Sequence, residues 1–115
     1  MRRAAVVVLA LTALLVPGAA MSRTIAKTDI FGKWCGGVAN YLIAEEALVV
    51  ELKDRTTKTF PIKAFTIVDD TWVNVAWIRD HEVKGTNFKI DPDGQLVQAA
   101  NTSGDTGPER HFHRC

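Results

Sequence analysis

The sequence predicts an all-β domain, a small antiparallel meander barrel or sandwich of about eight strands, closed by a disulfide between its terminal strands. Three observations carry that expectation. Short runs rich in Val, Ile, Thr, Phe and Trp recur about every 8 to 12 residues, separated by Gly, Pro and Asp turns. No apolar stripe at helical spacing is long enough for a substantial helix. The chain has two cysteines, Cys35 near the first such run and Cys115 in the last.

Taken in order, residues 31–36 and 39–44 read as the first two strands, with Gly36-Gly37 allowing a bend between them. Residues 47–53 alternate cleanly, Leu48, Val50 and Leu52 against Val49, Glu51 and Lys53. Residues 59–68 form a fourth strand in which Pro61 implies an edge or a bulge. Asp69-Asp70 turns the chain into 71–79, where Trp72, Val73, Val75, Trp77 and Ile78 are strongly β-prone. Asp80-His81 makes a further hairpin into 82–90, a strand expected to be interrupted near Gly85. Asp91-Pro92-Asp93-Gly94 has the strongest turn chemistry in the chain. Residues 95–100 and 109–115 complete the set, flanking a polar loop.

The N-terminus reads differently. Arg2 and Arg3 precede an apolar run over residues 4–16, then Pro17, Gly18, Ala19 and Ala20. This is the architecture of a secretory signal cleaved after Ala20, and the run falls short of the roughly 20 residues that span a bilayer. The expected organisation is therefore a signal peptide (1–20), a flexible leader (21–30) and one β domain (31–115), in a periplasmic or secreted product with no membrane span. Thr28-Asp29-Ile30 offers a helical turn at the end of the leader. Without Arg2 and Arg3 the chain carries 12 basic and 13 acidic residues, interspersed, which provides no footprint for nucleic acid.

In an oxidising compartment two lone cysteines are expected to pair. Strand parity then joins the ends. With Trp34 pointing inward, Cys35 points outward; Phe112 and Arg114 share one face of the last strand while His111, His113 and Cys115 share the other. A Cys35–Cys115 bond on the outer face places Trp34 and Arg114 together inside, a guanidinium over an indole. Asp29-Ile30-Phe31-Gly32-Lys33-Trp34 resembles the opening Gly-x-Trp signature of the lipocalin-like (calycin) barrels. The resemblance implies an Arg from the last strand packed across that Trp, here Arg114, and a barrel that binds a small ligand. The domain is much shorter than an ordinary lipocalin, so any cavity is expected to be small or filled by side chains. The chain resembles more loosely the small exported bacterial proteins that end in Arg-Cys.

Few residues suggest chemistry. His111 and His113, with His81, are the candidates for a metal, but no cysteine or carboxylate spacing reinforces them and no metal or other cofactor is expected. Glu45-Glu46 and Asp69-Asp70 are neighbours whose side chains diverge along a strand, and Asp91-Pro92-Asp93-Gly94 lacks the further positions of a calcium loop. No phosphate cradle or nucleophile–base pattern is present, so an enzyme is not expected. Tyr41, Trp72 and Trp77 are the candidate binding surface; the two Trp have opposite parity, so a regular strand turns one of them outward. The expected function is a non-enzymatic binding module for a small apolar ligand or an envelope protein. Inhibition of an envelope protease through the leader, and a structural envelope role without ligand, are the alternatives.

Overall fold

The computed structural model describes residues 23–100 and 107–115. The expected signal peptide, residues 21 and 22, and most of the 101–108 loop lie outside the described residues. Eight strands follow one another: β1 (Gly32–Cys35), β2 (Ala39–Ile43), β3 (Ala47–Leu52), β4 (Thr57–Val68), β5 (Trp72–Arg79), β6 (Glu82–Ile90), β7 (Leu96–Gln98) and β8 (Arg110–Arg114). Each pairs antiparallel with the next, and β8 returns to β1, so the meander closes into a barrel rather than remaining an open sandwich. Every strand thus has a neighbour on both sides.

The turns explain why the strands reverse where they do. Asp69 and Asp70 (φ 53° and 59°) and Asp80 and His81 (φ 53° and 69°) adopt the left-handed conformation that two-residue hairpin turns require. At the β6–β7 turn, Asp91 Oδ1 accepts from the backbone N–H of Asp93 and Gln95, while Gly94 takes φ 82°. Pro61 faces Ala47, and the register shifts just beyond it between Ile62 and Ala64, so the bulge is realised and the edge is not. The expected interruption of β6 does not occur. Gly85 stays in register opposite Ala76, where a Cβ would meet Asn74 Nδ2 at 3.3 Å.

Seven of the eight strands supply the buried core, which includes Trp34, Ile43, Leu48, Val73, Val75, Phe88, Leu96 and Phe112, and β4 packs the partly buried Ile62 and Phe65 against it. Ile30 joins it, wholly buried, from the short 3₁₀ turn Lys27–Ile30. The turn lies across one end of the barrel. Ile25 N–H donates to Asp70 O at 3.0 Å, and Lys27 Nζ pairs with Glu45 at 2.7 Å.

Candidate functional site at the open end of the barrel

The two ends of the barrel are built differently, and the sealed one defines the other. Gly32 takes φ 116°, a conformation that side-chain-bearing residues rarely adopt, and a Cβ there would lie 2.5 Å from Arg114 Nη1. Trp34 and Arg114 face each other across the β1–β8 seam, and the guanidinium carbon sits 3.8 Å from the centre of the Trp34 ring. The 3₁₀ turn leaves backbone carbonyls without helical partners. Trp34 Nε1 donates to Ile30 O at 2.9 Å, and Arg114 donates to Phe31 O at 2.6 Å and Asp29 O at 3.3 Å. One indole and one guanidinium thereby satisfy three successive carbonyls and plug the end. On the outer wall of the same seam Cys35 and Cys115 are disulfide-bonded, with Cα atoms 5.1 Å apart. A second hollow, of about 500 Å³, lies at this end and is lined by Arg23, Ile25, Asp29, Trp34, Asp70 and Arg114 among others.

At the opposite end the interior is not filled. A cavity of about 460 Å³ opens between β2, β3, β4, β5, β6 and β7. Its floor is Tyr41, whose ring stacks on Phe112 at 4.7 Å and meets the edge of Phe88 at 5.9 Å. Leu48, Val50 and Leu52 line one side, and Phe60 and Trp77, whose rings touch at 4.9 Å on the neighbouring strands β4 and β5, line another. The buried polar groups bond to one another: Tyr41 Oη donates to Gln98 Oε1 at 2.8 Å, and Trp77 Nε1 donates to Thr86 Oγ1 at 2.9 Å. Lys58, Arg79 and Asp80 stand at the rim.

The candidate surface named from sequence is thus divided. Tyr41 and Trp77 line the mouth, whereas Trp72 lies half-buried on the outer wall beneath Lys89 Nζ, 4.9 Å from its ring centre. His111 and His113 stand exposed on the outer face of β8, His111 within 3.0 Å of Glu109 Oε1. Among the described residues no three His, Cys, Asp or Glu side chains converge on one point. Phe60, Lys58 and Arg79 were not singled out in the sequence. Their signal was the parity of their strands, two residues from Phe60 to Lys58 and two from Trp77 to Arg79.

Electrostatics divides the ends as well. The closed-end turns carry Glu45, Glu46, Asp69, Asp70, Asp91 and Asp93. Asp29 beside them accepts from the Ala26 backbone N–H, which with Arg23 holds its carboxyl below the usual carboxylate range against partial burial. At the mouth Glu82 is held below that range chiefly by its hydrogen bond to Lys84. No helix among the described residues is long and apolar enough to cross a membrane.

Fold and site together define a small disulfide-tied, up-and-down β-barrel with one plugged end and one open, aromatic mouth. No family model, curated protein or solved structure matches the chain.

Proposed function

We propose that this protein is a non-enzymatic, lipocalin-like binding module, exported to the periplasm or beyond, that holds a small apolar ligand in the mouth of its barrel. The observation that carries the reading is the aromatic-walled cavity of about 460 Å³ opposite a sealed end. Concave sites of about 300 to 1,000 Å³ lined by apolar side chains with a few placed polar groups are typical of small-molecule binding. The Trp34–Arg114 pair supports membership of the calycin barrels, and the disulfide suits an oxidising compartment. The inhibitor alternative has less support, since Arg23 and Ile25 are engaged at the closed end by Asp29 and Asp70.

A neutral apolar dye such as N-phenylnaphthylamine tests the reading by its fluorescence on binding. Trp77→Ala is expected to weaken binding about tenfold, roughly the loss of a modest aromatic anchor. Trp72→Ala, on the outer wall, leaves it unchanged. Absence of dye binding, or equal losses in the two variants, would remove the mouth as the site.

A further inference from the structure

We propose that His111 and His113 form a surface site for one Cu²⁺ ion on the outer wall of the barrel, with Glu109 holding His111 in the ligating tautomer. The site is separate from the mouth and does not depend on the function proposed for it.

Spacing along the chain argues against a metal at this pair; the fold supplies the support that spacing lacks. β8 is paired on both sides at the two histidines, His111 facing Val97 of β7 and His113 facing Cys35 of β1. Phe112 between them is buried in the core, so both imidazoles project from the outer wall, where both are exposed. Alternate residues of a strand lie roughly 6.6 Å apart along it. Imidazole nitrogens bind a divalent ion at about 2 Å, so two rings rooted at that spacing can close on one ion. Cys35, the partner of His113, is bonded to Cys115, so the pair sits on a covalently tied seam.

Glu109, two residues before His111, places Oε1 at 3.0 Å from His111 Nε2. An ionised carboxylate only accepts hydrogen bonds, so Nε2 carries the proton and Nδ1 of the neutral ring keeps its lone pair. A carboxylate behind an imidazole is the arrangement that orients a metal-bound histidine and raises its basicity. Among the described residues no hydrogen bond or ion pair holds the His113 ring, which is free to turn toward the same point.

The donor set chooses the metal. Both cysteines are joined in the disulfide, which leaves no thiolate for Cu⁺ or for a structural zinc site. Among the described residues no third His, Cys, Asp or Glu completes a group with the pair. Two imidazoles with water in the remaining positions suit the tetragonal preference of Cu²⁺, which also binds such donors more tightly than its first-row neighbours. Lys89, beyond Val97 on the outer wall, opposes a dication but lies over the Trp72 ring, and Glu109 offsets it. Two protein ligands make an exchangeable site rather than a permanent cofactor.

Cu²⁺ binding to the untagged protein is followed by titration calorimetry and electron paramagnetic resonance in a non-chelating buffer. One ion per chain with two imidazole nitrogens in its hyperfine pattern is expected. His111→Ala and His113→Ala are each expected to weaken binding about a hundredfold, the loss of one arm of a two-point attachment. Both side chains are exposed, and an unchanged melting temperature shows that the variants fold. Glu109→Ala is expected to cost about tenfold with the two-nitrogen spectrum kept, and Glu109→Gln, which still accepts from Nε2, to recover part of it. His81→Ala, in the mouth hairpin, changes nothing. Affinity that survives in His111→Ala/His113→Ala would put the copper elsewhere on the chain and overturn the site. Zn²⁺ bound as tightly as Cu²⁺ would overturn the choice of metal, and an unchanged affinity in Glu109→Ala would overturn the positioning role of the carboxylate.

Discussion

The closed end and the mouth are made from the same eight strands, yet they spend their polar groups in opposite ways. At the closed end Arg114 and Trp34 donate to the carbonyls of residues 29–31, Asp29 binds Ala26 and Arg23, and Lys27 binds Glu45. At the mouth Tyr41 bonds Gln98 and Trp77 bonds Thr86 inside, Lys84 pairs with Glu82 at the rim, and Lys58 and Arg79 are exposed. Satisfied polar networks rigidify a structure, whereas sites that receive ligands keep binding capacity in reserve. The closed end therefore carries the denser polar network, at the pole away from the proposed site.

The largest test of that division is the seam. Replacing Cys35 and Cys115 together by Ala releases a loop spanning a sequence separation of 80. On the chain-entropy estimate the loss is about 4 to 5 kcal/mol, comparable with the stability of a small domain. Urea unfolding monitored by Trp fluorescence measures it. A loss below about 1 kcal/mol would mean that the β1–β8 ladder holds without its staple. The next largest contrast sets one Trp against another. Trp34 is 1% exposed and bonded to Ile30 O, so Trp34→Ala is expected to cost about 3 to 5 kcal/mol. Trp77, half-buried at the mouth, should cost less than about half of that in the same unfolding assay. Equal losses would erase the distinction between a structural pole and a binding one.

The closed end was also the more legible in the sequence. Parity from a single cysteine pair placed Trp34 and Arg114 on one inner face, and the register sets them directly opposite. Covalent closure makes such reasoning strong, because it fixes two strands at once. Eight strands, the Asp-rich turns and the Thr28–Ile30 turn were readable for related reasons, local chemistry acting over a few residues. The mouth was less legible. Lys58 and Arg79 read as ordinary solvated charges because alternation identifies inner positions only while apolar residues mark them. Where the barrel opens, the inner face turns polar and the marker stops. Trp72 and Trp77 show the same limit. Their opposite parity was visible, but which of them faced inward depended on the β5–β6 register, a non-local fact.

A smaller effect compares the hairpins at the two poles. His81, at φ 69° in the mouth hairpin, and Asp70, at φ 59° in the closed-end hairpin, both occupy the left-handed region. Asp is among the residues that tolerate it through local side-chain hydrogen bonding. His81→Gly is expected to raise stability by about 0.5 to 1 kcal/mol, partly offset by the freer unfolded chain. Thermal unfolding reads the gain, and Asp70→Gly should gain less. Destabilisation by His81→Gly would mean that the imidazole makes a contact worth more than the strain.

The smallest effect is in acid. Asp29 is held below its ordinary value of 3.8 first by the Ala26 N–H and further by Arg23. A depressed carboxylate contributes stability that is fully present above the unfolded-state value and is lost as pH falls through the lower folded one. Asp29→Asn is therefore expected to flatten the fall in melting temperature between about pH 5 and pH 2, while lowering the plateau at neutral pH. Glu82 is also depressed, but it is fully exposed at the mouth, where solvent screens its pairing with Lys84. Glu82→Gln should leave the acid limb unchanged. If Glu82→Gln flattened that limb as much as Asp29→Asn, acid sensitivity would belong to the mouth, and the poles would no longer divide the work of folding from the work of binding.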